Sequence, residues 1–398
     1  NNYATTVYTM LNGERHDILG EVWNTHTELE IVAVSGDFKT LFAVYFDGGV
    51  TDGGYSSLGT LRIDAESGAI IDTLPWVYPS MHRAGYMNKA FGASQDGKIV
   101  VGTSSAPFAF YNTSPVFWDL EANMSYYVGI GEDQDAGTTE GSLASCNNDG
   151  TLLCGEIGNG KYNRAYIIKY DKSARTCERV AVPLWAGSSS SMAAAVSETG
   201  MVVGSENSGT FLYDMISGEK YEMTEYLRYL YGVDLPADAV PFSTTSQISD
   251  NGRVIAGTGN PGAEVPYVIV LGEHQIPAMA RAVNARQIRG TETVTVAWNK
   301  PLIGEYTLKG YWIYRDDVKV SPTMLSADAL SFTDANVPGG VHTYAVQAVY
   351  EDDVEAEKAL ASPIRVAGLN ECLPVQEIYS DIVYNRTVNL YWNLPTDK

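Results

Sequence analysis

Basic residues are scarce in this chain. Its 26 Lys and Arg stand against 48 Asp and Glu, a net charge of −22 over 398 residues. Binding a polyanion takes clustered cations that displace counterions, so this balance excludes nucleic acid as a partner, and equally an anionic membrane surface. Histidine is rarer: His16, His26, His82, His274 and His342 are scattered, with no spacing that a zinc site uses, and no metal or cofactor is expected. Four cysteines, Cys146, Cys154, Cys177 and Cys372, match neither a metal pattern nor a redox pair. No stretch approaches the roughly 18 apolar residues of a membrane span. The chain opens on Asn1-Asn2-Tyr3 without a signal-like segment. No nucleophile elbow, phosphate loop or dinucleotide fingerprint occurs, so the sequence leans away from an enzyme.

What is abundant points to sheets. The chain is 45% hydrophobic, with 26 Tyr and 38 Gly, a composition suited to twisted strands and tight turns. Four segments align without gaps around a glycine. They are Ala93-Ser94-Gln95-Asp96-Gly97, Cys146-Asn147-Asn148-Asp149-Gly150, Val196-Ser197-Glu198-Thr199-Gly200 and Ile248-Ser249-Asp250-Asn251-Gly252, each followed by a Val/Ile/Leu run that ends on glycine or alanine-glycine. The steps between anchor glycines are 53, 50 and 52 residues, and a degraded copy at Val34-Ser35-Gly36-Asp37-Phe38 stands 59 residues earlier. Each copy reads as a hairpin whose glycine supplies positive φ. A third strand follows each, as in Pro115–Asp119 and Thr210–Asp214, and a short fourth follows most. Four strands per unit of about fifty residues is the signature of propeller blades. The expected fold is therefore all-β: a β-propeller over 1–276, of five blades with six as the alternative, in which Thr5–Met10 could supply a closing strand.

The alignment resembles the bacterial extracellular repeat family called HAF, with the last copy the nearest in detail: Tyr226–Leu230 as a short helix, Tyr231-Gly232-Val233-Asp234-Leu235, then Gln247–Gly257. The resemblance covers about residues 30 to 272 and implies a propeller and an exported protein, extracellular, periplasmic or cell-surface. It implies no reaction.

In register, Cys146 takes the place of Ala93 and Cys154 that of Val101, so both read as small buried hydrophobes and not as a disulfide. Ser94-Gln95-Asp96-Gly97 is not a sialidase Asp-box, because Asp and Gly are adjacent and Ile99 and Val100 follow; turn chemistry accounts for it.

After Pro277 strands alternate apolar and polar residues. Over 277–369 the pattern resembles a fibronectin type III sandwich, with Trp298 matching the core Trp of its second strand and Tyr344 the corner Tyr whose hydroxyl caps a turn. Thr387–Pro395 repeats Thr293–Pro301 at an offset of 94 residues, so 370–398 is expected to be the start of a second, truncated domain of this kind.

Propellers gather ligand-binding loops at one end, where each blade hands on to the next. There the sequence places Trp76, Tyr78, His82, Arg83, Tyr86 and Trp185, and from the second loop set Tyr111, Tyr162, Arg164, Glu156 and Glu206. Aromatics beside a His-Arg pair suit a sugar or a peptide; gap-filling between blades is the plainer account of Trp76 and Tyr78. Glu132-Asp133-Gln134-Asp135 lacks the later bidentate Glu of a calcium loop and reads as solvated acid. The expected function is an exported, monomeric, non-catalytic binding or scaffold protein with a carbohydrate or protein ligand. The alternatives are a glycan hydrolase with carboxylates lining the channel, and a structural part of a surface assembly.

Overall fold

The computed structural model describes residues 8–11, 14–17, 29–47, 57–77, 86–105, 113–128, 140–158, 163–207, 209–233, 242–259, 265–368, 378–383 and 387–392. Their regular structure is nearly all strand, with one α-helix, Met223–Tyr231. The chain divides into two compact units, one of residues 1–224 and 236–271, the other of 225–235 and 272–398.

The first unit is a succession of antiparallel meanders, one per repeat. The first sheet runs Leu29–Val34, Thr40–Asp47, Ser57–Asp64, Ile70–Thr73. The second is Asn88–Ala93, Ile99–Ser105, Thr113–Asp119, Met124–Tyr127. The third is Glu140–Cys146, Leu152–Gly158, Arg164–Asp171, Thr176–Ala181. The fourth is Ser191–Val196, Met201–Glu206, Gly209–Asp214, Lys220–Glu222, and the fifth has three strands, Phe242–Ile248, Val254–Gly259 and Val265–Val270. The hairpins read from the repeat are therefore the first two strands of each sheet.

Both faces of the central strands are apolar because each sheet packs against the next. Phe42 and Leu74 of the first sheet side meet Ala90, Val100, Val116 and Trp118 of the second. The opposite face of the second sheet puts Ile99, Val101 and Phe117 against Leu143, Leu153 and Ile168 of the third. Cys154, Ala165 and Ile167 then meet Ala193, Val202 and Phe211 of the fourth. Cys154 is thus a core residue, as its register predicted, and Cys146, Cys154 and Cys177 are free thiols. Cys146 is only half-buried.

The repeat turns do two jobs. Ser94 Oγ donates to Asp96 Oδ1 (2.7 Å) and accepts the Ile99 N–H (3.0 Å), while Gly97 takes φ +68°. Ser35-Asp37 and Ser249-Asn251 repeat the arrangement. The turns also bond to one another: Asp37 N–H to Gln95 O (2.8 Å), Gln95 N–H to Asn148 O (2.8 Å), Glu198 N–H to Asp250 O (2.9 Å). Glu198 takes the Asp149 N–H and the Asn147 amide, and the Asn148 amide reaches Asp250 two sheets on, so each turn is tied to the next and the third also to the fifth.

In the second unit, the sheet of Arg281–Gln287, Val294–Asn299 and Ser331–Asp334 shares one core with the sheet built on Leu308–Arg315 and Tyr344–Tyr350. Trp298 and Tyr311 stack edge to face at 5.2 Å in that core. The Tyr344 hydroxyl donates to the Asp334 carboxylate (2.9 Å), which also takes Arg315 (2.7 Å), so it caps a side chain here and not a backbone turn. Helix residues Tyr226, Leu227 and Leu230 are buried, and the Ile276 N–H donates to Leu230 O.

Candidate functional site

An antiparallel meander sends its first strand away from one end and brings its second strand back to it. The repeat turns therefore occupy one end of the first unit, and the sheet-to-sheet crossovers occupy the other. The described residues among the candidates chosen from sequence belong to the crossover end. Tyr78, His82, Arg83, Tyr111 and Tyr162 lie outside the described residues, as does the acidic loop at 132–135. Trp76, Tyr86, Arg164 and Trp185 are described.

The crossover that carries Trp76 is held from below. The Leu74 N–H donates to Thr60 O (2.8 Å), Trp118 Nε1 to Pro75 O (2.8 Å), and the Asn88 amide nitrogen to Leu74 O (3.1 Å) and Pro75 O (3.4 Å). Trp76 is half-buried. Tyr86 is buried at the far end of the same crossover, where its carbonyl accepts the Leu58 N–H (2.9 Å). Thr60 Oγ1 donates to Asn88 O (2.8 Å) and accepts the Ala90 N–H (3.1 Å), stitching the first sheet to the second.

The crossover that carries Trp185 is held by charge. The Trp185 N–H donates to Glu206 Oε1 (2.7 Å), and Glu206 pairs with the Lys220 ammonium, which also donates to Pro183 O (2.7 Å). Both charged side chains are buried, 5% and 0% exposed for Lys220 and Glu206. The ammonium lies 4.4 Å from the ring centres of Trp185 and of Phe211. Burial pulls the Lys220 amine below its ordinary value, and the Glu206 carboxylate opposes that shift. Trp185 thus has one neighbour already, a cation of its own chain. Arg164 is exposed at the start of its strand, opposite Ile157.

Sequence reading missed Asn88, Ser104 and Lys220. One signal for Asn88 was present: it stands nine residues before the anchor glycine, as Ser191 does in the fourth copy, and both open the first strand of their sheets. Ser191 Oγ accepts the Ala165 N–H (2.9 Å), so a polar residue at strand entry is a recurrent tie. The Lys220 pair left no local trace, because its partners are 14 and 35 residues away.

A concavity of 440 Å³ lies at the turn end of the third sheet, among Thr151, Lys169, Tyr170, Thr176, Cys177 and Glu178. Its charges pair with each other, Lys169 with Glu178 at 3.5 Å, and Tyr170 is tied to Asp119 (2.7 Å). Among the described residues, no group of three His, Cys, Asp or Glu is placed to hold a metal, and no helix is long and apolar enough to cross a membrane.

The sequence matches no protein-family model and no curated protein. Solved structures similar to the chain include an extracellular domain of BT4673 from B. thetaiotaomicron, at 10% identity and a TM-score of 0.33, covering 90% of this chain and 53% of that one. The β-propeller domain of the Trilobed protease from Pyrococcus furiosus gives 12% identity, a TM-score of 0.36 and coverage of 86% and 96%. Prolyl oligopeptidase B from Galerina marginata gives 10%, 0.40, and 82% and 46%. The chain spans about half the length of the first of these. Likeness at this level assigns neither a family nor an activity.

Proposed function

We propose that the chain is an exported, non-catalytic binding protein whose first unit recognises a glycan or peptide at its crossover end. In this reading the five sheets are blades of a closed, HAF-like propeller, and the second unit, with 277–369 as a fibronectin type III-like sandwich, is a spacer. A curved array of blades is supported by the repeat turns, which bond to one another in series with the third also reaching the fifth; bringing the fifth sheet beside the first would close it.

The observation that carries the binding reading is the crossover over the first two sheets. There the backbone that carries Trp76 is fixed by Trp118 and Asn88, next to buried, uncharged polar side chains. Small-molecule sites combine apolar and aromatic side chains with a few well-placed polar groups on a rigid framework. The hydrolase alternative needs two carboxylates about 5–10 Å apart in a polar cleft. Glu206, a described carboxylate at this end, is buried and already engaged by Lys220 and the Trp185 N–H.

The test is a glycan and peptide array probed with the intact protein and with the Trp76→Ala, Arg83→Ala double variant. The wild type should bind members of one class and the variant should lose them. Binding unchanged in the variant, or none to either class, would overturn the reading.

A further inference from the structure

Asn88, Ser104 and Ser114 stand side by side on three neighbouring strands of the second sheet. Cross-strand partners share a face. That face is the one toward the first sheet, because Val100 and Val116, in step with Ser104 and Ser114 along their strands, pack there with Phe42 and Leu74. All three side chains are buried, as is Thr60 facing them from the first sheet. No charged group belongs to this row.

Two atoms in it are unpaired. Asn88 Oδ1 and Ser104 Oγ are buried without a hydrogen-bond partner. The amide cannot be turned over to cure this, because its nitrogen already donates to Leu74 O and Pro75 O. Buried polar atoms are normally paired, so two adjacent exceptions under one crossover call for an occupant. Asn88 Oδ1 only accepts, whereas a serine hydroxyl both donates and accepts. An N–H donor would satisfy Asn88 but would need a separate carbonyl placed for the serine proton. A carboxylate would face the Asn88 lone pairs, and an ammonium would be buried without a counter-charge. A hydroxyl has the chemistry for both, donating to Asn88 Oδ1 and accepting from Ser104 Oγ.

We propose that Asn88 and Ser104 form a hydroxyl-reading subsite for a neutral carbohydrate beneath the Trp76 crossover. The proposal rests on the ligand-binding reading above and names the ligand class of that same end.

The test is titration calorimetry of the full chain with neutral gluco-, xylo-, manno- and galacto-oligosaccharides, beside acidic oligosaccharides and peptides, for the wild type and Ser104→Ala, with melting temperatures measured without ligand. The wild type should bind a neutral oligosaccharide, and Ser104→Ala should weaken it about tenfold, the loss of one hydrogen bond. Without sugar the variant should melt at the same temperature or higher, because an unpaired buried hydroxyl contributes nothing. A lower melting temperature, from a hydroxyl already satisfied within the fold, would overturn the proposal, and so would unchanged affinity. Binding of peptides or acidic glycans alone overturns it and leaves the ligand-binding reading standing; no binding at all overturns both.

Discussion

The repeat turns show what a single residue decides. Gly97, Gly150, Gly200 and Gly252 all take φ between +65° and +80°. That was legible in the sequence, because only glycine reaches this region at no steric cost. In the eroded first copy the same place is held by Phe38, which adopts φ +58° with its ring 72% exposed. The turn survives the substitution because Ser35 and Asp37 keep their bonds. Phe38 therefore carries strain with little packing to offset it. Phe38→Gly should raise stability by about 0.5–1 kcal/mol, the relief of a left-handed side chain less the extra freedom of glycine when unfolded. Urea denaturation monitored by circular dichroism checks this; a loss of stability would mean that the Phe38 ring is held by contacts. Asn88 and Ser104 were illegible at this scale, because an unpaired atom is defined by neighbours from other strands.

At the scale of elements, the hairpins and the third strands could be read directly, since their turn chemistry and alternation are local. What fixes the crossovers could not. Trp118 Nε1 reaches Pro75 across 43 residues of sequence, and the Glu206–Lys220 pair meets Trp185 only after three strands have assembled. Trp185 was chosen from sequence as a candidate ligand-binding residue; folded, it walls a buried ammonium. Removing one partner of a buried pair strands the other charge, so Lys220→Met should cost about 3–5 kcal/mol. Adding Glu206→Gln removes the stranded charge while keeping an acceptor for the Trp185 N–H, and should recover more than half of that loss. Equal instability of the single and double variants in urea titrations would contradict this account of the crossover.

At the scale of the molecule, composition and repeat spacing made the all-β character legible. The helix was legible as an element inside the repeat array, but not the unit it stabilises. Residues 225–235 form one compact unit with 272–398, through Leu227, Leu230 and the Arg281–Glu225 bridge (3.0 Å). Leu230→Ala should cost that unit about 2–4 kcal/mol. Amide exchange in the full chain should then quicken over 294–299 and 344–350 and stay unchanged over 99–105 and 164–171. Quickening in the first unit alone would contradict the partition.

The same measurement addresses the claim on which the functional reading depends, that recognition occurs at the crossover end of the first unit. Amide exchange of the intact chain, with and without a saturating neutral oligosaccharide, should slow over 58–60, 74–77, 86–90 and 103–105. It should be unaltered at the turns over 94–98, 147–151, 197–201 and 249–253. Slowing at the turns, or only within 272–368, would contradict the account.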